Sequence, residues 1–414
     1  MHLDTTGQEA SSRMESRNIA MNLTMEMSTC LITLFASGAL WQGLLLHCGL
    51  SMTQVGTLGA VASIAQALAM VLDLWLADRF RRPLVVMTVA VIPCIVFFAV
   101  IAAMCFMGES VFSFPVVLVS VFVYFAFYGF RSVLLYKVPY LIFRMERYGP
   151  LLAVGGFASN LLSMVAGLGI NVLLERREYL STMAVLYVVC TVLAAVVALS
   201  TLLMRPLYVP RETVRVPLKE VLADDSIRFL SGANFMRGIS WGIIASITLI
   251  AAGVFQKDAA ALSVMVTLTM VGTTIGHLLF GAVSRPAWLS RVLMAAGILL
   301  AVTGPLAVVM GKWVLFLVLF VPLQIAYIVV GDAIPVILAQ TTSYQIIGGC
   351  TAVRLIVSMV GMALSSWLTG FLMEVWGGRG AAVVLMLIAG LSQVYCGVTY
   401  YRHEKRAKSK QLDV

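Results

Sequence analysis

The sequence predicts an all-α membrane protein of twelve transmembrane helices, arranged as two pseudo-symmetric six-helix bundles. Three observations predict it. Of 414 residues, 61% are hydrophobic and 11% charged, with a mean hydropathy of +0.99; a soluble domain is nearer half apolar and about a quarter charged. Apolar runs long enough to span about 30 Å of hydrocarbon recur along the whole chain. One long polar stretch divides them six and six.

The runs are 18–46, 52–77, 84–107, 113–140, 150–174, 181–204, 228–254, 259–283, 289–311, 313–340, 345–373 and 380–401. Residues 1–17 are polar, with three acidic groups and no apolar core of a signal peptide. They read as a short N-terminal tail, mobile and cytoplasmic. The interruption at 205–227 holds Pro206, Pro210 and Pro217 and reads as a cytoplasmic linker between bundles 18–204 and 228–401. A short basic tail, 402–414, closes the chain and suits the inner leaflet.

Charge in the loops sets the orientation. With the N-terminus inside, nineteen basic residues lie on the inner side and five outside. Arginine and lysine are retained on the cytoplasmic side of short loops. Both termini are therefore expected in the cytoplasm, in a multi-pass protein of the cell (inner) membrane. The net charge of +9 follows from this topology. It does not cluster on one element with interleaved aromatics, as a nucleic-acid surface would. The seven cysteines have no metal-ligand spacing and mostly sit in apolar runs, as packing residues. There is no phosphate loop for ATP and no hydrolytic or metal constellation, so no cofactor is expected and the chain does not read as an enzyme.

The halves resemble each other. The second run opens LSMTQVGTLGAVASI and the eighth LSVMVTLTMVGTTIG; the fifth holds GGFASNLLSMVAG and the eleventh GGCTAVRLIVSMVG. A duplicated six-helix unit places a binding site between the repeats, as in secondary transporters.

At the inner end of the second run the chain reads LADRFRRP, residues 76–83. This resembles the Gly-x-L-A-D-R-x-G-R-R signature of the major facilitator superfamily. Leu76, Ala77, Asp78, Arg79 and the pair Arg81–Arg82 match; Leu74 stands in place of the first glycine, and the second is missing. The resemblance implies alternating access, with helices 1, 4, 7 and 10 around a central cavity and 3, 6, 9 and 12 facing lipid. It also implies that Asp78 and Arg79, with Asp73 one turn before, form a cytoplasmic latch. A solvated topogenic loop is the plainer reading.

Ionisable groups inside a bilayer are costly, and so are paired or functional. Setting aside groups near the run ends, five remain: Glu26, Arg131, Arg237, Asp332 and Arg354. At 1.5 Å per residue each lies roughly 12–13 Å from the inner end of its helix, in one layer. The first four fall one each on helices 1, 4, 7 and 10. Two ion pairs within the halves are expected, Glu26 with Arg131 and Arg237 with Asp332, because a lone buried charge costs several kcal/mol. Such pairs serve either to hold helix register or to yield to a substrate or coupling ion. Arg354 is left over as an anchor for a carboxylate or phosphate; the alternative is an arginine satisfied by backbone carbonyls or by Asp332. Trp241, one turn from Arg237 on the same helix face, is a further cavity candidate. His47 and His277 have no partner visible in the sequence.

Together these point to a secondary transporter, a monomer in the lipid bilayer, moving a small polar and anionic organic solute, with a proton or sodium ion as the coupling ion. The alternatives are an efflux pump for amphipathic compounds and a receptor or sensor that has lost transport.

Overall fold

The computed structural model describes residues 5–36, 38–76, 82–138, 142–143, 145–207, 222–223, 225–283, 289–341 and 347–412. Among these, every regular element is helical. A chain in hydrocarbon must satisfy its backbone within each segment, and the helix does so. Side-chain hydroxyls follow the same rule: Thr57, Thr88, Ser120, Thr191 and Thr274 each donate to the carbonyl four residues earlier.

Twelve spans result. The first is Thr5–Ala36 continued by Gly38–His47. The second to sixth are Met52–Leu76, Pro83–Met107, Phe114–Lys137, Met145–Arg176 and Tyr179–Leu203. The seventh is Asp225–Ala245 with Ile247–Phe255, bent by 45° between them. The eighth is Ala259–Leu262 with Val264–Val283. The ninth to twelfth are Leu289–Val309, Trp313–Thr341, Ile347–Val375 and Gly378–Leu412. Eleven pass as membrane spans by length and apolarity alone, and the bent seventh makes twelve.

The packing repeats with the duplication. The third span packs on the sixth and the ninth on the twelfth; the second on the fourth and the eighth on the tenth. The first packs on the fifth and sixth, and the seventh on the eleventh and twelfth. Each repeat has a proline inside its third helix, Pro93 and Pro305. The halves meet along two related seams, second against eleventh and fifth against eighth. Val85, Val89, Ile92 and Val96 of the third span and Ile298, Val302 and Leu306 of the ninth are exposed, as lipid-facing helices require. The fold is two six-helix repeats packed against each other, as the sequence predicts.

Both predicted tails differ from expectation. Residues from Thr5 onward continue the first helix. Glu15 and Asn18 are buried at its base. The Asn18 amide donates to Ile142 O (3.0 Å) and Arg205 O (2.8 Å), and its Oδ1 accepts from Arg205 N at 3.0 Å. One side chain thus ties together the chain just beyond the fourth and sixth spans, which leaves no room for a free tail there. At the other end, the twelfth helix runs on to Leu412. His403 stacks on Phe229 at 5.8 Å and Arg406 lies 4.7 Å over the same ring, so the basic segment docks on the seventh span. Of the predicted linker, residues 208–221 lie outside the described residues.

Asn18→Ala removes three hydrogen bonds at once and leaves buried backbone groups without partners. It is expected to cost about 1–3 kcal/mol, read as a lower unfolding temperature in detergent; an unchanged midpoint would show that the clamp is not formed.

Candidate functional site

The site grows from a close crossing of helices. On the seventh span Gly238 lies against the carbonyl of Ser358, and on the eleventh Gly361 lies against the carbonyl of Phe235; a Cβ at either glycine would collide with backbone. Ser358 Oγ donates to Asn234 O at 3.0 Å across the same crossing. Arg237 stands beside Gly238, and Arg354 one turn before Ser358. The crossing brings these two guanidinium groups within electrostatic reach of each other, with Tyr400 and Cys396 of the twelfth span and Tyr327 of the tenth close by.

Both arginines are buried, at 2% and 4% exposure. Nε and Nη1 of each have no hydrogen-bond partner, nor has Trp241 Nε1. Arg237 Cζ sits 4.0 Å over the Trp241 ring, a cation–π contact strengthened by desolvation. Trp241 is backed by Tyr327, with ring centroids 5.8 Å apart. Among the described residues no carboxylate lies within 4.0 Å of either arginine.

The two ion pairs expected from the sequence do not form. Asp332 is held instead by His277, its Oδ2 2.6 Å from Nδ1, with both side chains part-exposed. The eighth and tenth spans pack directly, so His277 reaches Asp332 before Arg237 can. Glu26 accepts from Asn22 Nδ2 at 2.7 Å, one turn away on its own helix. It also fills the space that Gly155 leaves on the fifth span, where a Cβ would strike Oε2. Arg131 is 5% exposed and faces the interior of its own bundle, lining a recess with residues of the first, third and sixth spans. The five charges therefore form separate stations: Glu26; Arg131; the Arg237–Arg354–Trp241 cluster; and Asp332 with His277. Asp78 and Arg79 lie outside the described residues, and of Asp73 only the backbone is described, in the second span.

His277 was missed because a lone histidine in an apolar run has no local signature. The duplication held a signal. The offset of 211 between Glu26 and Arg237 also relates Gln66 to His277, and Gln66 lies against Gly129 of the fourth span. That is the repeat-related place to the contact of eighth span with tenth. His47 likewise has a partner, Glu109, at 3.3 Å.

Among the described residues, the halves touch at several points near the ends of the spans away from the termini. Gly56 packs on Ser366 O (2.7 Å from a Cβ built there) and on Gly370. Thr53 N donates to Glu374 Oε2 at 2.7 Å. Gln42 Nε2 donates to Ala245 O at 2.8 Å. Asn171 donates to Thr267 at 2.9 Å and accepts from Ser263 at 3.0 Å. This face is closed.

No family model and no curated protein matches the sequence. Solved structures match in fold over nearly the whole chain. A mutant of the nucleoside transporter NupG is similar at TM-score 0.66 and 14% identity, covering 94% of this chain and 99% of its own. A bacterial homolog of the human lysosomal transporter Spinster, in an inward-facing and unoccupied conformation, is similar at 0.63 and 15%, covering 95% and 98%. The human organic anion transporter MFSD10 (TETRAN) is similar at 0.61 and 15%, covering 96% and 99%.

The closed face can be trapped. A Cβ at Gly59 would lie 3.2 Å from Ser366 Cβ, close to the disulfide mean of about 3.8 Å. Gly59→Cys with Ser366→Cys is expected to cross-link the halves in high yield under mild oxidation, seen as one band after proteolysis in the linker. Two separate fragments would mean that the halves do not meet there.

Proposed function

We propose that this chain is a secondary transporter that carries a small organic anion by alternating access, with Arg237 and Arg354 as the anion-holding residues. One observation carries the reading: two guanidinium groups are buried within electrostatic reach of each other, and among the described residues no carboxylate lies within 4.0 Å of either. A charge without a partner in hydrocarbon costs several kcal/mol. Proteins keep such groups where a ligand supplies the missing charge. Planar donors in a fixed fork match a carboxylate or phosphate through paired hydrogen bonds. Trp241, stacked on Arg237, adds a flat apolar wall and a free N–H, which suits the organic part of the solute.

The fold supports transport. Solved structures that share it are titled transporters of nucleosides and of organic anions. Closure at one end is part of each of the two states that rocking of the halves requires, and the seams along the second and eleventh spans and the fifth and eighth are the natural pivots. The loop charges assign the closed end to the outside and both termini to the cytoplasm.

Two groups are chemically suited to a coupling proton. Glu26 has an amide for a neighbour and, among the described residues, no cation within 4.0 Å. The Asp332–His277 pair is part-exposed; a proton shared between carboxylate and imidazole changes the charge of the pair by one. Protonating Asp332 releases His277, not an arginine, so coupling runs through the eighth span's contact with the tenth.

The test is thermal unfolding of the purified chain in detergent, at two pH values, against small carboxylates, sugar phosphates, amino acids and lipophilic cations. An anion at about 100 times its Kd stabilises by about 2.7 kcal/mol. Arg354→Gln is expected to abolish that stabilisation while raising the ligand-free midpoint, because it removes an unbalanced buried charge. Stabilisation by lipophilic cations alone would sink the anion reading and promote efflux of amphipathic compounds.

A further inference from the structure

We propose that the N-terminal bundle contains a separate site for one small monovalent anion of the halide class, bound beside Arg131. This inference does not depend on the transported solute or on the cluster in the other bundle.

Arg131 is 5% exposed, at a depth where a guanidinium needs a counter-charge. Its one hydrogen bond is weak, Nη2 to Thr29 Oγ1 at 3.3 Å, at the long end for N–H···O. Nε has no partner, and among the described residues no carboxylate lies within 4.0 Å. Glu26, the acid nearest along the first span, is engaged by Asn22 and seated against Gly155. Among the described residues the deficit is therefore local: one buried positive charge with no negative one within 4.0 Å.

The space beside it has the chemistry to hold an anion. Arg131 lines a recess with Thr29, Thr33, Cys94, Tyr124 and Tyr128, and each of those five carries an O–H or S–H. Thr29 Oγ1 accepts from Arg131, which leaves its own proton to donate. Thr29 and Thr33 are one turn apart on a single helix face. Tyr124 is fixed by stacking on Phe97, with centroids 4.5 Å apart, and by Phe98 at 5.2 Å. Thr33 donates its proton to Thr29 O at 2.9 Å and Cys94 its thiol proton to Ala90 O at 3.8 Å, so the donors that the recess offers are Arg131 Nε, Thr29 and the Tyr124 hydroxyl. The rest of the wall, Ile32, Val91, Phe98, Ala194 and Val197, is apolar and closes on a space for one or two water-sized particles. A space of that size suits a halide better than an organic acid. The charge balance is one against one, which disfavours sulfate and phosphate.

Four spans line the recess, the first, third, fourth and sixth. An ion there would knit the N-terminal bundle together.

The experiment uses the full chain purified in detergent with gluconate as the sole anion. Chloride is exchanged in up to about 100 mM at constant ionic strength. A saturable rise in the unfolding midpoint of about 3 °C is expected, with bromide equivalent and sulfate inert. Arg131→Gln is expected to abolish the rise, and Arg354→Gln, in the other bundle, to keep it. Thr29→Val is expected to raise the chloride midpoint about tenfold, and it decides the matter if Arg131→Gln does not fold. A response that gluconate or sulfate reproduces, or a chloride midpoint unchanged in Thr29→Val, would overturn the proposal.

Discussion

Where the seventh and eleventh spans cross, two helix backbones touch with no side chain between them. Gly238 rests on the carbonyl of Ser358 and Gly361 on the carbonyl of Phe235. In lipid there is no hydrophobic drive to press helices together, so close packing and short polar contacts must do it. Much else follows from that contact. It fixes the roll of both helices, and so turns Arg237 and Arg354 toward each other. Larger residues at Gly238 or Gly361 would separate the helices and let each arginine find its own partner. The two positive charges are adjacent because the backbones are adjacent.

The duplication is visible in the packing and broken in the chemistry. Corresponding helices pair in corresponding ways: the second with the fourth as the eighth with the tenth, the first with the fifth as the seventh with the eleventh. Yet Glu26 sits against Gly155 on the first–fifth contact, while the seventh–eleventh contact carries two arginines. Arg131 has a recess of hydroxyls, and Asp332, its counterpart, has a histidine. One frame thus supports different charges in each half. The frame rests on small residues and helix ridges; the charges rest on single side chains that can change without disturbing it.

Much of the fold was legible in the sequence. Spans are long apolar runs, and a bilayer allows no other reading of them. The six-and-six division, the paired repeats and the LADRFRRP segment agreed with one another, and the predicted spans match the helices closely. The partners of the charges were not legible. Matching by depth and by sign suggested Glu26 with Arg131 and Arg237 with Asp332. Depth is set by position along a helix, but partnership depends on roll, and a difference of one residue turns a side chain by about 100°. Asp332 meets His277 of the eighth span and not Arg237. The tails failed for another reason: Glu15, Asn18, His403 and Glu404 look solvated in sequence, and only the neighbouring helix ends show that they are buried.

The bend in the seventh span has a consequence for how the closed face can part. At the break, Leu249 N bonds to Ser246 O, one residue short of the helical partner, so the Ala245 carbonyl loses its usual donor. Gln42 of the opposite half supplies one at 2.8 Å. When the halves separate here that carbonyl is orphaned in a dry seam, at a cost comparable to burying any bare peptide oxygen. Only solvent can take over the role. Any parting of the halves at this point would thus be coupled to wetting: water entering between Gln42 and Ala245 would have to take over the bond that Gln42 now makes.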